Sequence, residues 1–500
     1  MSVRQAITGL CWLLIAQASH AIPGQPPVPE QPGLVQQPCW FTVNDENVTA
    51  ACYWMFVREE HGNSASNIIG FPVIRLSAGP NQLDPVLHLG GGGPGNAMQL
   101  SGAQINNTWQ NHYYMSIEQG MDLILMDPRG VGMSTPRLSC HEWLGTVRGT
   151  WGEALSLQEE WKVGMAADRQ CIQRLKQDGV NLAMYNSAAV ARDVESLRKA
   201  MGVGQWNLYG VSYGSRYALT IARDFPHSVA AMVLDGVVFP NLRYEEKGAI
   251  TSEMAIRRAF TWCQENPYCR ADFPGIEERF WALAESLNDK PLTMTVTDPQ
   301  TFEQLPVSLT GYRLFAVMFY AAYDERYHGD FPAVVRSLEN RNTDLVAPHV
   351  RRYLGYLLDP SDSDAALATH YCYEEFPFVD NDRTLKAARG YAAVIRDPLM
   401  LSTETTREWC DAWLGETRGP ALEGLAVSTD IPTLVLHGEL DPVLPIEDIE
   451  AQLSTFENVE LITYPDIAHD VVSASLCAEV AAGKFYRFGF ESRDGQSCNE

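Results

Sequence analysis

The chain has 500 residues and is acidic, with 62 Asp and Glu residues against 37 Lys and Arg, which gives a formal net charge of −25. A hydrophobic fraction of 46% supplies enough apolar side chains for a packed core, which excludes a mainly disordered protein. The charge balance argues against a general nucleic-acid binder, because such proteins need clustered cations to displace counterions from phosphate.

The first 21 residues have the pattern of a secretory signal peptide. Arg4 supplies positive charge, an apolar stretch follows, and Ala18 and Ala21 offer two small-residue cleavage sites. The stretch is too short for a permanent transmembrane helix and no other apolar run approaches 18 residues, so we expect no membrane anchor. Residues 22–38 are rich in proline and are predicted to be a linker. We therefore expect a protein that is secreted or periplasmic.

The chain has eleven cysteines, and Cys11 falls in the predicted signal peptide. The ten that remain can all pair, and disulfides persist in exported proteins. Pairing of neighbours in sequence predicts five disulfides, although sequence alone does not fix connectivity. A zinc site is disfavoured because the chain lacks a C-x-x-C pair and paired histidine ligands, so no metal is expected. The predicted pairs are Cys39–Cys52, Cys140–Cys171, Cys263–Cys269, Cys372–Cys410 and Cys477–Cys498.

Short apolar runs, each followed by a turn rich in Gly, Asp or Pro, predict strands that are buried on both faces. A helical apolar spacing between such runs, as in residues 188–201, predicts an α/β class with a parallel sheet. This alternation is absent from residues 241–429, which are predicted to be a helical cap between two parts of one core, 39–240 and 430–500. The predicted strands are residues 86–89, 123–126, 206–209, 231–234, 433–436 and 459–464.

A G-x-S-x-G sequence at residues 210–214 lies between a predicted strand and a predicted helix, 216–223. This context is typical of a nucleophile elbow, a strained turn that lifts a serine hydroxyl out of the sheet. A G-x-S-x-G sequence alone is a weak signal, and its alternative is an ordinary tight turn. The context favours Ser212 as a catalytic nucleophile.

A serine hydroxyl needs a histidine base that is oriented by a carboxylate. Asp441 follows the strand predicted at 433–436, and His469 follows the last predicted strand. Because the carboxyl ends of parallel strands meet at one edge of a sheet, we expect these two side chains to lie beside Ser212. Alternative carboxylates are Glu439, Asp466 and Asp470, which rank behind Asp441.

A run of glycines at residues 90–93, followed by Pro94 and Gly95, comes after an early strand. This position is where an oxyanion-binding loop belongs, because glycine lets the backbone approach a reacting carbonyl. We predict that the backbone N–H groups of Gly93 and Tyr213 bind the oxyanion. A phosphate-binding loop is disfavoured, since no Lys-Ser/Thr pair follows the glycines.

Four motifs together resemble the prolyl iminopeptidase and tripeptidyl aminopeptidase branch of the α/β-hydrolases, in its secreted members. They are the glycine run, the segment 127–134 that contains Asp127-Pro128-Arg129-Gly130, the elbow, and the Asp441/His469 pair. The resemblance implies an α/β-hydrolase fold with a mostly parallel sheet and an inserted, mainly helical cap. It also implies a serine exopeptidase that acts on free N-termini without a cofactor. Arg129 is expected to form a structural ion pair.

The cap segment 371–377 is similar to a Cys-x-Glu segment of those secreted members. The resemblance implies that a cap carboxylate binds the ammonium group of the substrate. Glu374 is the first candidate and Glu375 the second, and the alternative is an acidic pair that faces solvent. The predicted Cys372–Cys410 disulfide would fasten this segment to the helix that contains Trp413.

The leading hypothesis is a monomeric, exported serine aminopeptidase whose substrates are peptides with a free N-terminus. A second hypothesis keeps the same catalytic groups but changes the substrate to an ester or lactone, because one fold hosts many hydrolyses. A third is a catalytically silent, hydrolase-like binding protein. No metal, organic cofactor or nucleic-acid partner is expected.

Overall fold

The computed structural model describes residues 22–80 and 83–492, so the predicted signal peptide lies outside the described residues. A nine-stranded sheet forms the centre of the molecule. Its strands are β1 (Gly33–Gln37), β2 (Thr49–Arg58), β3 (Ile68–Ser77), β4 (Val86–Leu89), β5 (Leu123–Met126), β6 (Trp206–Val211), β7 (Val229–Asp235), β10 (Thr433–Gly438) and β11 (Val459–Tyr464). A separate two-stranded sheet contains β8 (Leu292–Thr297) and β9 (Gln304–Leu309).

The strand order in the large sheet is β1-β2-β3-β5-β4-β6-β7-β10-β11. The six strands from β5 to β11 in that order are parallel, and β1, β2 and β3 add an antiparallel edge. The central strands β4, β5, β6 and β10 are buried at every position, which explains why their sequences are continuous apolar runs rather than alternating ones. The predicted α/β class with a mostly parallel sheet is confirmed.

Helices cover both faces of the sheet, and each face has its own hydrophobic core. Eight of the described α-helices belong to the sheet-containing part of the chain. They are α1 (Ile105–Gln110), α2 (His141–Thr150), α3 (Leu157–Gln177), α4 (Ser187–Met201), α5 (Tyr213–Asp224), α15 (Ile446–Gln452), α16 (Val471–Ala474) and α17 (Leu476–Phe488).

The region between β7 and β10 is mainly helical and has a hydrophobic core of its own, centred on Phe260, Phe280 and Phe331. We refer to this region, residues 241–429, as the cap. Its helices are α6 (Tyr244–Glu265), α7 (Pro267–Asp272), α8 (Ile276–Asp289), α9 (Gly311–Ala321), α10 (Phe331–Glu339), α11 (Ala347–Leu357), α12 (Asp364–His370), α13 (Asn381–Ala388) and α14 (Ala393–Leu414).

Two segments differ from the sequence predictions. Residues 22–38 were predicted to be a linker, but they contain β1, whose Val35 pairs with Trp54 of β2 at the antiparallel edge. Five prolines precede this strand and Pro38 follows it, so the proline-rich composition did not indicate a strand. The cap also contains the β8–β9 hairpin, and its alternating exposed and buried residues belong to a short sheet with one solvated face.

Four of the five predicted disulfides are present in the described residues. They are Cys39–Cys52, Cys140–Cys171, Cys263–Cys269 and Cys372–Cys410. The fifth, Cys477–Cys498, includes a residue outside the described range. Across residues 22–80 and 83–492, no helix combines the length and the apolar character needed to cross a membrane.

Candidate active site

Ser212 lies in the sharp turn between β6 and α5. Its backbone has φ 52° and ψ −125°, a conformation that L-residues rarely adopt and that costs on the order of 1–3 kcal/mol. The Ser212 N–H donates to the carbonyl of Asp235 at the end of the next strand, at 2.8 Å. The Ser215 N–H donates to the Ser212 carbonyl at 3.0 Å, which closes the turn into the helix. The turn thus holds Ser212 at the carboxyl end of the sheet.

The two glycines of the elbow are needed because other chain segments pass close to them. A Cβ atom on Gly214 would lie 1.9 Å from the Leu89 carbonyl oxygen at the end of β4. A Cβ atom on Gly210 would lie 2.7 Å from the Gly214 carbonyl oxygen. A larger residue at 214 would therefore push the elbow away from β4, and a larger residue at 210 would clash with the first turn of α5 within the elbow itself.

Asp441 and His469 meet across the loops that follow β10 and β11. The Oδ2 atom of Asp441 lies 2.7 Å from Nδ1 of His469, and the Asp441 side chain is completely buried. The other oxygen, Oδ1, accepts from the N–H groups of Val443 and Leu444 at 2.9 and 3.0 Å. The turn that follows Asp441 therefore orients its carboxylate toward the imidazole.

The charges of this pair stabilise each other. Burial alone would raise the pKa of Asp441, but His469 and their hydrogen bond hold it below its usual value. Burial alone would lower the pKa of His469, but Asp441, with smaller contributions from Asp235 and Asp470, raises it to about 9. Nε2 of His469 is buried and has no hydrogen-bond partner within the described part of the chain. This nitrogen is available to a serine hydroxyl, and such contacts tighten when substrate binds.

Asp235 supports the segment that follows His469. Its two carboxylate oxygens accept from the N–H groups of Val471 and Val472 at 3.0 and 2.8 Å, where α16 begins. The Tyr209 hydroxyl donates to the same carboxylate at 3.1 Å. Asp235 thereby connects the end of β7 to the loop that contains His469, which we call the histidine loop. Burial raises the pKa of Asp235 to about 7.

The glycine run packs against the elbow. A Cβ atom on Gly91 would lie 2.9 Å from Cβ of Ser212, and Gly93 lines the same cavity as Ser212 and Tyr213. Asp127, from the predicted Asp-Pro-Arg-Gly turn, anchors this loop by accepting from the Met98 N–H at 3.0 Å. These contacts place the glycine backbone beside Ser212.

The remainder of that turn is structural. Arg129 is buried and forms an ion pair with Asp193 of α4 at 2.6 Å, as the sequence predicts. It also donates to the carbonyls of Glu59 and Met184 at 2.7 and 2.8 Å. Arg129 thus fixes the loop after β5 to its neighbours and does not line the cavity.

A cavity of about 1040 Å³ lies between the sheet and the cap and contains both Ser212 and His469 in its lining. Its walls are rich in aromatic side chains: Trp143, Trp151, Tyr244, Tyr312, Phe315, Phe319, Tyr320, Tyr323, Tyr353, Tyr356 and Tyr371. A volume of this size accommodates a ligand of several residues with apolar side chains.

The structure separates the two predicted ammonium-binding residues. Glu374 is completely buried, does not line the cavity, and accepts from the Tyr213 hydroxyl at 2.6 Å and the Ser187 N–H at 2.9 Å. Burial would raise the pKa of Glu374, but Arg216 at 3.4 Å and these donors keep it below its usual value. The first candidate therefore braces the elbow, and the neighbouring Glu375 is the one at the cavity wall.

Glu375 shares its wall with a second carboxylate that sequence reasoning missed. Glu375 pairs with Arg216 at 2.6 Å, and burial raises the pKa of Glu375 to about 8. Glu245, in the first turn of α6, also lines the cavity, and its buried Oε2 has no hydrogen-bond partner within the described part of the chain. Burial raises the pKa of Glu245 as well. The sequence offered one sign of Glu245. It follows the first part of the core closely and lies in a first helical turn that contains two acidic residues.

Known proteins resemble this chain over most of its length. The serine protease Hip1 of Mycobacterium tuberculosis is 24% identical over 447 residues, which cover 85% of this chain and 82% of that protein. The tripeptidyl aminopeptidase of Streptomyces lividans is 28% identical over 159 residues, 30% of this chain and 28% of that protein. Carboxylesterase B of Mycobacterium tuberculosis is 28% identical over 291 residues, 54% of each chain.

Residues 86–473 match the family described as alpha/beta hydrolase fold, from the first central strand to the loop that contains His469. The matched range includes the elbow, the loop that contains Asp441 (the acid loop), the histidine loop and the whole cap. Together with the parallel sheet and the serine elbow after β6, this match shows that the chain belongs to the alpha/beta hydrolase family.

Proposed function

We propose that this hydrolase is an exported serine aminopeptidase of the tripeptidyl or prolyl aminopeptidase type, which releases short N-terminal fragments through an acyl-enzyme. One observation carries the proposal. Glu245 and Glu375 line the same cavity as Ser212 and His469, so two carboxyl groups and a candidate nucleophile face one space. The partly matching tripeptidyl aminopeptidase and the longer match to a serine protease support a peptide substrate.

The chemistry follows from the geometry of the core. Ser212 attacks the scissile carbonyl while Nε2 of His469 accepts the hydroxyl proton, and Asp441 stabilises the resulting imidazolium. His469 then passes that proton to the leaving amine, and a C–N bond breaks as the acyl-enzyme forms. Water, deprotonated by the same imidazole, releases the acyl fragment. The backbone N–H groups of Gly93 and Tyr213 bind the oxyanion in both steps.

The cap binds the substrate N-terminus and thereby determines which peptide bond reaches Ser212. Glu374, Glu375 and Glu245 place three carboxyl groups near the guanidinium groups of Arg216 and Arg243. Each acidic neighbour raises the pKa of Glu375 further. A substrate ammonium relieves this repulsion, and charge-assisted hydrogen bonds are about twice as strong as neutral ones. Peptides with a free N-terminus are therefore favoured over blocked ones.

Export is part of the proposal. The four disulfides of the described chain are typical of proteins that fold in oxidising compartments, and they agree with the signal-peptide pattern of residues 1–21. Cys372–Cys410 ties the acidic segment to α14, which pre-organises the cap side of the cavity.

A second candidate function is hydrolysis of carboxylic esters. The match to carboxylesterase B and the apolar, aromatic cavity wall favour it. Esters need the same nucleophile but have no use for Glu245 and Glu375. Parallel assays on peptide anilides and simple esters separate the two functions, because an aminopeptidase requires the free amine and an esterase is indifferent to it.

The serine assignment is tested with a fluorophosphonate probe and Ser212→Ala. We expect stoichiometric labelling of Ser212 in the wild-type protein and a fall in kcat of about 10⁶-fold in the variant, as complete loss of a serine nucleophile produces. Ser252→Ala is the matched control, since Ser252 lines the same cavity on α6. Full activity of Ser212→Ala would contradict the proposal.

A further inference from the structure

Two cap residues form hydrogen bonds with the backbone of the loops that contain Asp441 and His469. Arg258, on α6, donates from Nη1 to the carbonyl oxygen of Asp441 at 2.6 Å. Glu325, in the connection between α9 and α10, accepts from the N–H of Ala468 at 3.2 Å. One contact is made by Asp441 itself, and the other by the residue directly before His469.

The histidine loop is therefore held from two sides. On the core side, Asp235 accepts from the N–H groups of Val471 and Val472, just after His469. On the cap side, Glu325 accepts from the N–H just before His469. The ring of Tyr323, also in the cap, packs edge-on against the His469 imidazole with 5.4 Å between centroids. Two carboxylates thus hold the backbone on either side of His469, while Asp441 and the ring of Tyr323 contact its imidazole.

The acid loop has a comparable arrangement. Its core contacts orient the Asp441 carboxylate through Val443 and Leu444, but they leave the Asp441 carbonyl for the Arg258 guanidinium. Neither Arg258 nor Glu325 appears in the cavity lining, so neither is placed to touch a substrate. Their contacts act on the backbone from which the acid and the base project.

We propose that Arg258 and Glu325 are positioning residues, through which the docked cap holds the Asp441–His469 pair in its reactive geometry. The inference rests on the proposed Ser212 machinery and is independent of whether the substrate is a peptide or an ester. Displacement of a catalytic group by about 1 Å costs on the order of 100-fold in rate, so loss of one such hydrogen bond affects kcat more than KM.

The test uses Arg258→Met and Glu325→Ala, each with a neighbouring control. Arg257→Met removes an exposed arginine of α6 that pairs with Glu277, and Arg326→Ala removes an exposed arginine that pairs with Asp324. Glu325→Gln retains a carbonyl acceptor for the Ala468 N–H and serves as the rescue variant. Fluorophosphonate labelling counts the active sites, so that rates refer to folded protein.

We expect kcat and the labelling rate of Ser212 to fall about 10-fold in Arg258→Met and in Glu325→Ala, with KM changed less than about twofold. The controls and Glu325→Gln are expected to remain within about twofold of wild type. The pH at which kcat/KM is half-maximal should fall in Arg258→Met, because a displaced Asp441 raises the pKa of His469 less. That shift distinguishes positioning from a purely structural effect.

A double-variant experiment sharpens the test for Arg258. Because Arg258 acts through Asp441, Arg258→Met should change the rate less than about twofold in an Asp441→Asn background. A full 10-fold loss in that background would overturn the inference. So would wild-type labelling rates in both single variants, or equal losses in the controls. Failure of wild-type protein to be labelled at Ser212 would instead overturn the proposed function, and this inference with it.

Discussion

The two ends of the cavity are built in different ways. At the core end, Ser212, Asp441 and His469 project from loops that follow β6, β10 and β11. Backbone hydrogen bonds fix Ser212 and the Asp441 carboxylate, and Asp441 in turn holds His469. At the cap end, Glu245 and Glu375 come from α6 and from the segment after α12. Glu375 pairs with the Arg216 side chain, and Oε2 of Glu245 has no partner within the described residues. The sheet positions the residues of the core end, whereas contacts among charged side chains position those of the cap end.

This difference separates chemistry from substrate choice. The carboxyl ends of the parallel strands lie at one edge of the sheet, which brings Ser212, Asp441 and His469 together. In the proposed function, the charged cluster selects the substrate, and we expect that single residues in it can change without disturbing the sheet. Variants at the core end should therefore lower kcat, and variants at the cap end should raise KM.

Asp441→Asn breaks the core end most directly. An asparagine cannot stabilise the imidazolium and favours the wrong tautomer of His469, so we expect kcat to fall about 10⁴-fold with the fold retained. The pKa of His469 should also drop, because its largest raising contribution is lost. Glu439→Gln, in the same loop and exposed, should leave kcat within about twofold. An equal loss in both variants would contradict the assignment of Asp441.

Glu374→Gln tests whether the buried carboxylate is structural. Glutamine removes the negative charge that pairs with Arg216 and keeps only one acceptor oxygen for the Tyr213 hydroxyl and the Ser187 N–H, so we expect a free energy of unfolding lower by about 3 kcal/mol. Burial raises the pKa of the neighbouring Glu375, which favours its neutral form more than that of Glu374, so Glu375→Gln should cost less than half as much. Urea denaturation at pH 7 measures both. Equal destabilisation would erase the distinction between the two residues.

Glu245→Gln tests the cap end without disturbing an ion pair. We expect KM for peptides with a free N-terminus to rise about 30-fold, with kcat and ester hydrolysis unchanged, because a charge-assisted hydrogen bond contributes about 2 kcal/mol. Glu253→Gln, on the same helix but outside the cavity lining, is the matched control. A fall in kcat at constant KM would place Glu245 in the chemistry instead.

The pH dependence of kcat/KM depends on groups at both ends of the cavity. His469 must be neutral to act as a base, and with a pKa of about 9, set by burial, Asp441, Asp235 and Asp470, activity is lost as pH falls below that value. The α-amino group of a peptide has a pKa of about 7.7–8.0 and loses its charge at higher pH. We expect kcat/KM for free-amine peptides to peak at roughly pH 8–9 and to be about 10-fold lower at pH 7.

The falling limb of that profile provides its own control. An ester or an N-acetylated substrate has no ammonium to lose, so its profile should rise through the His469 pKa and stay level. Identical bell shapes for both substrates would assign the falling limb to the enzyme and contradict the role of the ammonium.

The sequence predicts the two ends unequally, for a physical reason. Apolar runs mark the central strands, and the residues after them are Ser212, Asp441 and His469, so position along the chain predicts position at the sheet edge. In the cap, the wide turn at residues 371–375 turns Glu374 inward and leaves Glu375 at the cavity wall. A shift of one residue would exchange the positions of Glu374 and Glu375. Spacing in the sequence does not show which of the two faces the cavity.

Two other features were beyond sequence reasoning for similar reasons. Glu245 and Glu375 are 130 residues apart, and they approach only because α6 and the segment after α12 meet across the cap. Arg258 and Glu325 contact backbone atoms of distant loops, and no residue pattern predicts a contact with a carbonyl or an N–H. Side chains that act on backbone across a domain boundary need coordinates to be found.

The most direct test of the account is product analysis by mass spectrometry on one peptide with a free N-terminus and on its N-acetylated form. The account predicts that wild-type protein releases a short N-terminal fragment from the free peptide and cleaves the acetylated form at least about 30-fold more slowly. It also predicts that Glu245→Gln reduces the ratio between the cleavage rates of the free and the acetylated peptide. Equal cleavage of both forms, or hydrolysis of esters alone, would contradict the assignment of this hydrolase as an aminopeptidase.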